Sequence, residues 1–305
     1  MGDESTGAIV ASVFGNIVIA IAKFTAAAFT GSSAMISEGI HSMVDTGDGL
    51  LLLMGVHRSR RPPDELHPFG HGKEVYFWSL IVAISIFGIG GGMSVYEGIR
   101  HLRHPTPLVD PFWNYLTLAI SAAAEAASLF VATRAFRSTK GSRGWWRGIR
   151  EAKDPTTFTV VFEDTAALIG LTFAAVGIAL TAATGSPLYD GLASIAIGLL
   201  LASAAVVLAG ESRGLLLGEA ADPGTVVDVK RVAEADPSVR SVARVLTLQM
   251  GPATVLLDVE VDFDPTLSVE QIHDAALRME RRIREEHPEV SRVFIEVESL
   301  EPHAH

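Results

Sequence analysis

The sequence predicts an α-helical membrane protein of six transmembrane helices, followed by a small C-terminal cytoplasmic α+β domain. Three observations carry that expectation. The chain has 305 residues, is 49% hydrophobic and has a mean hydropathy of +0.34, with the apolar residues concentrated in its first two thirds. Six stretches there are long enough to cross a bilayer core, which takes about 20 residues of helix. Beyond about residue 214 the pattern changes to short strands and amphipathic helices.

The spans run over about 7–30, 33–57, 75–100, 111–137, 156–183 and 187–209, each bounded by polar, proline or arginine-rich residues. Because Met1-Gly-Asp-Glu-Ser carries acids where a signal peptide needs a basic start, the first stretch reads as a retained helix. Lys and Arg in short loops set the orientation. Arg58, Arg60, Arg61 and Lys73 lie in one loop and seven more in the next, from Arg134 to Lys153, against only Arg100 and Arg103 on the other side. The two basic loops therefore face the cytoplasm, and with six spans both termini do as well, which predicts a multi-pass protein of the cell membrane. Trp145 and Trp146, beside Arg143 and Arg147, suit an interfacial segment or cover the loop's own apolar surface.

Residues 1–213 are thus read as the membrane domain and 214–305 as the cytoplasmic one. In the latter, Asp222-Pro223 is an N-cap with proline at the first helical position, opening a helix to about 236. Val242–Met250 and Thr254–Phe263 read as a strand pair across Gly251-Pro252. Ser268-Val-Glu-Gln271 is a capping box that starts a helix to about 286, and Arg292–Glu298 alternates as a last strand. The α-β-β-α-β order is that of a ferredoxin-like domain, with helices on one face of an open sheet. Its nine Lys/Arg against eighteen Asp/Glu argue against nucleic acid as a partner. No cysteine occurs, which removes disulfides, thiolate metal sites and cysteine nucleophiles.

The second span carries Glu38, His41, Asp45 and Asp48 at steps of three, four and three, so all four share one helical face. Ionisable groups at that depth are costly unless they serve something charged, and imidazole plus carboxylate is a ligand set for a divalent metal. In the fifth span, Phe162-Glu163-Asp164-Thr165 places two acids about two turns in from the start capped by Asp154-Pro155. Two facing helices can then build a site with His41 as nitrogen ligand and Asp45 and Asp164 as oxygen ligands. The duller reading pairs these acids with Lys23 or with backbone, tying helices together. Glu97 and Asp190 stand near span ends within reach of headgroups and water. Glu125 sits mid-span with no companion at i,i+4, equally balanced between function and helix packing.

After the second span, Asp64, His67 and His71 at steps of three and four can converge on a metal, although His and Asp are also common in ordinary loops. Gly70 and Gly72 imply a tight backbone path there. Neither a phosphate-binding Gly-x-x-x-x-Gly-Lys-[Ser/Thr] nor a His-Glu-x-x-His is present, so nucleotide-driven transport and zinc hydrolase chemistry lack their signatures.

Taken together, the six spans, His41-x-x-x-Asp45, His67-Pro-Phe-Gly-His71-Gly-Lys73, the acid pair of the fifth span and the α+β tail resemble the cation diffusion facilitator family of divalent-metal transporters. The resemblance covers nearly the whole chain. It implies a homodimer that exchanges zinc or a similar ion for protons, with no catalytic residues. Carried over position by position, it implies a transport site at His41, Asp45 and Asp164, and a second site at Asp64, His67 and His71. The family's usual His of the fifth span falls on Val160. Glu163 is the candidate for the vacated place, with Glu38 or water as the alternative, and a more oxygen-rich site tolerates Mn²⁺, Fe²⁺ or Co²⁺ better. Where some members carry His in the tail sheet, this chain has Ala243, Glu260, Glu296 and Glu298, with His273 on the second tail helix; a solvated sheet face is the expectation.

The expected function is proton-coupled export of Zn²⁺ or a related divalent ion, with metal and protons competing for one site. A Mn²⁺- or Fe²⁺-preferring exporter of the same architecture is the alternative, followed by a membrane metalloenzyme using His41, Asp45 and Asp164, or a metal sensor. Gly88, Gly90, Gly91 and Gly92 in the third span are expected to let helices approach and slide.

Overall fold

The computed structural model describes residues 2–140, 144, 148 and 153–297. Arg143, Trp145, Trp146 and Arg147 of the second basic loop, and Glu298, lie outside the described residues. The chain packs as two compact units, one running to His57 and over Val75–Arg213, the other comprising Arg58–Glu74 and the segment from Gly214.

The first unit is built on long helices: α1 (Gly2–Thr30), α2 (Ser33–Ser59), α3 (Glu74–Ser85) running through a π-helical segment (Ile86–Gly92) into α4 (Met93–Arg103), α5 (Phe112–Lys140), α6 (Pro155–Thr184) and α7 (Leu188–Leu217). Glu74–Arg103, Phe112–Arg137, Phe158–Thr184 and Leu188–Leu217 are each long and apolar enough to cross a membrane. α1 and α2 are as long, and the Glu, His and Asp residues of α2 dilute its hydropathy. The same residues that make α2 informative therefore hide it from a hydropathy criterion. The last span is longer than the sequence predicts, because helical residues continue past the apolar run to Leu217.

The glycines of the third span have a defined partner. A Cβ on Gly91 would lie 3.0 Å from the Gly198 carbonyl, one on Gly198 2.7 Å from the Gly91 carbonyl, and one on Gly98 2.7 Å from the Gly191 carbonyl. The α3–α4 rod and α7 thus pack backbone against backbone, as small residues permit where no hydrophobic force drives helices together. The π segment coincides with Ile-Phe-Gly-Ile-Gly-Gly-Gly, a single widened stretch of the kind that often marks a functional region.

Asp190 corrects its sequence reading. It is 1% exposed rather than open to headgroups. Its carboxylate accepts from Ser32 Oγ at 2.6 Å, from the Ser33 amide, and from the Ala34 amide at 3.4 Å, so a residue of α7 caps α2. Glu97 is also buried, and pairs with Arg100 at 2.8 Å.

In the second unit, α8 (Pro223–Glu234), β1 (Val239–Gly251), β2 (Thr254–Phe263), α9 (Val269–Glu286) and β3 (Val290–Val297) form a three-stranded sheet of order β1-β2-β3 with two helices. β1 runs antiparallel to β2, with Val245 opposite Val259, and β3 parallel to it, with Ile295 opposite Val259. The expected caps form: Asp222 accepts from Gly224 N, and Ser268 and Gln271 make the reciprocal capping box. Burial alternates strictly along β2, so Val255, Leu257, Val259, Val261 and Phe263 share a core with Val229 and Val232 of α8 and Ala275, Met279 and Ile283 of α9. On the other face Glu260 lies 3.3 Å from the exposed Arg244, a pair at the solvent boundary.

The segment after α2 packs with this unit. Gly72 sits so tightly on the Met250 carbonyl and Gly251 that any Cβ would collide with backbone, and Lys73 Nζ donates to the Leu216 carbonyl at 3.3 Å.

Candidate functional site

The polar face of α2 divides into two parts. Glu38 is fully buried, and its Oε2 accepts from Lys23 Nζ at 2.9 Å; Lys23, equally buried, also donates to Ser42 Oγ at 2.8 Å. The helix-tying reading therefore holds for Glu38. Its other oxygen has no hydrogen-bond partner and faces Gly170 of α6, where a Cβ would lie 2.7 Å away.

Further along the helix, among the described residues, no Lys or Arg pairs with Asp45, Glu163 or Asp164. Asp45 opens into a cavity of about 290 Å³ whose walls also include Asn16 of α1, Glu125 and Ser128 of α5, and Val160, Glu163 and Asp164 of α6. Asp45 Oδ1, Glu163 Oε1 and Asp164 Oδ2 are buried atoms with no hydrogen-bond partner. Glu163 lies within electrostatic reach of Asp48, Asp45, Asp164 and Glu125. Buried carboxylate oxygens left unpaired are costly, and a cation is the ligand that relieves the cost for several at once. His41 Nδ1 lies 3.1 Å from Asp45 Oδ1, and His41 Nε2 is buried without a partner.

The structure thus gathers Asp45, Glu163 and Asp164 around one cavity. His41 stands beside Asp45 without lining that space. Glu125 and Asn16 line it too, which sequence reasoning did not resolve. The available signal was a lone carboxylate on an apolar helix; its neighbours are Asp45 and Asp164 on other helices, invisible to i,i+4 spacing.

The loop cluster is tighter. Asp64, His67 and His71 each bring one ligand atom within 4.8 Å of the others, the one His/acid group among the described residues to do so. Asp64 Oδ1 accepts from the amides of Leu66 at 3.0 Å and His67 at 2.6 Å and lies 3.1 Å from His67 Nδ1; its Oδ2 lies 3.3 Å from His71 Nε2. The two imidazoles approach with centroids 4.3 Å apart. Gly70, at φ +88°, turns the chain between them. The His67 amide, with help from both imidazoles, holds Asp64 below the usual carboxylate range, which keeps it ionised as a ligand must be.

Membrane-length helices that enclose a carboxylate-lined cavity, joined to a compact α+β domain, suit a protein that handles cations in a membrane. The chain belongs to the cation efflux family, the cation diffusion facilitators: the family's transmembrane domain matches residues 9–217 and its cytoplasmic domain residues 221–300. Among curated relatives, the mitochondrial proton-coupled zinc antiporter SLC30A9 of Mus musculus is 39% identical over 244 residues, which are 79% of this chain and 43% of that protein. Metal tolerance protein C4 of Arabidopsis thaliana is 32% identical over 88% of this chain and 59% of its own length. The manganese efflux system protein MneP of Bacillus subtilis is 23% identical over 94% of this chain and 93% of its own length. The chain therefore spans less than two thirds of the first two relatives and nearly all of the third.

Proposed function

We propose that the protein exports a divalent cation, foremost Zn²⁺, from the cytoplasm across the cell membrane in exchange for protons, as a homodimer with both termini in the cytoplasm. The observation that carries this is the cavity between α2, α5 and α6, lined by Asp45, Glu163 and Asp164, in which Asp164 Oδ2 and Glu163 Oε1 are buried without a hydrogen-bond partner. His41, Asp45, Glu163 and Asp164 form the transport site on this reading. His41 supplies its nitrogen by a rotation toward the cavity from its position beside Asp45. Protons and metal compete for the same oxygens, because a ligand carboxylate must be ionised and a ligand imidazole neutral. Opening that site alternately to each side makes the competition an antiport. Asp64, His67 and His71 form a second, cytoplasmic site whose exposure suits ion capture or sensing.

The relative named as a proton-coupled zinc antiporter supports zinc and protons. A second reading, manganese or iron(II) as the favoured ion, draws on the excess of oxygen donors over nitrogen in the cavity and on the manganese efflux relative. The test is reconstitution in vesicles with a zinc dye on one side and a pH dye on the other. Zinc flux accompanied by opposite proton movement is expected. Flux that moves no protons would replace antiport by uniport, and absence of any divalent flux would remove transport.

A further inference from the structure

We propose that Glu125 of α5 is a further ligand of the transported ion, and that it enlarges the site into an oxygen-rich set that accepts Mn²⁺ as well as Zn²⁺. This rests on the transport reading of the same cavity and extends it to a helix that the α2–α6 pairing leaves out. Glu125 lines the cavity together with Asp45, Glu163 and Asp164. Three residues on, Ser128 lines it as well, so one face of α5 is turned toward the site over a full turn. That α5 packs closely against α6 is what brings the two carboxylate-bearing faces to a common space. Asp164, which is 8% exposed, leaves Oδ2 unpartnered there, so the cavity has a buried acceptor aimed at whatever fills it.

A packing role explains Glu125 less well. A carboxylate that only ties helices needs a cationic or donor partner, and Lys23, the lysine that acts on Glu125, is already held by Glu38 at 2.9 Å and Ser42 at 2.8 Å. The other groups acting on it are His41 and the acids Asp45 and Asp164. Another acid among acids is relieved by protonation or by a bound cation, and the cavity is where a cation fits. Coordination preference then sets the consequence. Zinc is satisfied by four tetrahedral ligands and takes nitrogen readily, whereas Mn²⁺ favours oxygen donors in larger number. Asp45, Glu163, Asp164 and Glu125, with Asn16 from α1, line one cavity and provide such a set.

Val160 lines the same cavity one turn before Asp164, so an imidazole placed there would reach the site and restore a nitrogen donor. This gives a test that a packing defect cannot imitate. Zn²⁺ and Mn²⁺ affinities are measured by titration calorimetry on the purified full chain, and fluxes of both ions in vesicles, for wild type, Glu125→Gln, and Glu125→Gln combined with Val160→His. Glu125→Gln should weaken Mn²⁺ binding by about tenfold or more and Zn²⁺ binding less. Adding Val160→His should bring Zn²⁺ affinity back while Mn²⁺ stays weak. Unchanged affinity for both ions in Glu125→Gln overturns the proposal. Equal losses for both ions that Val160→His does not repair overturn it too, since they mark a structural role. Wild-type vesicles that move neither ion, although calorimetry records the Glu125-dependent binding, would instead overturn the transport reading and leave Glu125 as a ligand.

Discussion

Removing Lys23 should damage the protein more than removing Lys23 and Glu38 together. Both side chains are fully shielded, their 2.9 Å contact joins α1 to α2, and Ser42 shares the ammonium at 2.8 Å. In Lys23→Met the buried Glu38 is left without its cation. Breaking one side of a buried pair typically costs about 3–5 kcal/mol, whereas replacing both partners with apolar residues is often close to neutral. For a protein of this size the single substitution should lower the apparent melting temperature by roughly 10 °C. Glu38 Oε1 already packs against Gly170 of α6, where a Cβ would lie 2.7 Å from it, and finds no hydrogen-bond partner there. The assay is thermal unfolding of detergent-purified Lys23→Met and of Lys23→Met combined with Glu38→Met, scanned at one rate. The expected order is wild type, double variant close behind, single variant last. A single variant as stable as wild type, or a double variant worse than the single, would refute the claim that this pair is a neutralised structural tie.

Three further outcomes are expected. Asp164→Ala or Asp45→Ala should abolish divalent-ion flux in vesicles while the protein still elutes as wild type does, and normal flux in either would remove that residue from the site. Gly98→Ala should destabilise by about 1–3 kcal/mol, because its new methyl would meet the backbone carbonyl of Gly191 and the Ile195 side chain at 2.7 and 2.6 Å, whereas Gly210→Ala, with open space at its Cβ, should melt as wild type does. In the α+β unit, burial would push the Asp236 carboxyl up, but hydrogen bonds from Arg278 and Ser238 hold it below the ordinary value. A depressed carboxylate adds stability above its unfolded value near 3.9 and loses it as pH falls through the lower folded value, so the destabilisation by Arg278→Ala should be full at neutral pH and fade below about pH 4 in pH-dependent melts.

How far each feature was legible depends on the range over which its cause acts. The Asp154-Pro155 and Asp222-Pro223 helix starts, the Ser268–Gln271 capping box and the alternation along β2 are set by neighbours within a turn or a pleat, and each forms as the residues predict. The α2 face was legible for the same reason: steps of three and four put Glu38, His41, Asp45 and Asp48 on one stripe whatever they meet. What they meet was not legible. Asp190 caps α2 from more than 150 residues away, and Gly72 is pinned by the β1–β2 turn at Gly251, contacts that leave no periodic trace. The segment 58–74 consequently belongs with the α+β unit and not with the helices flanking it in sequence.

The contrast within α2 is what separates a structural acid from a functional one. Glu38 and Asp45 are two turns apart on the same stripe, both in helices of membrane length, and both unfavourable there as bare charges. Glu38 is matched by an internal lysine that donates to it and to Ser42, so its charge is neutralised from within. Glu163 and Asp164 have no ion-pair partner among the described residues, and with Asp45 they turn unpaired oxygens on a space large enough for a hydrated ion. A chain that placed a lysine against one acid had the means to place another against the next. On the proposed transport reading, the counter-charge of the second group comes and goes, as a metal in one phase of a cycle and as protons in the other. On the proposed reading the unmatched acids carry the exchange, while the matched pair beside them holds α1 and α2 in register.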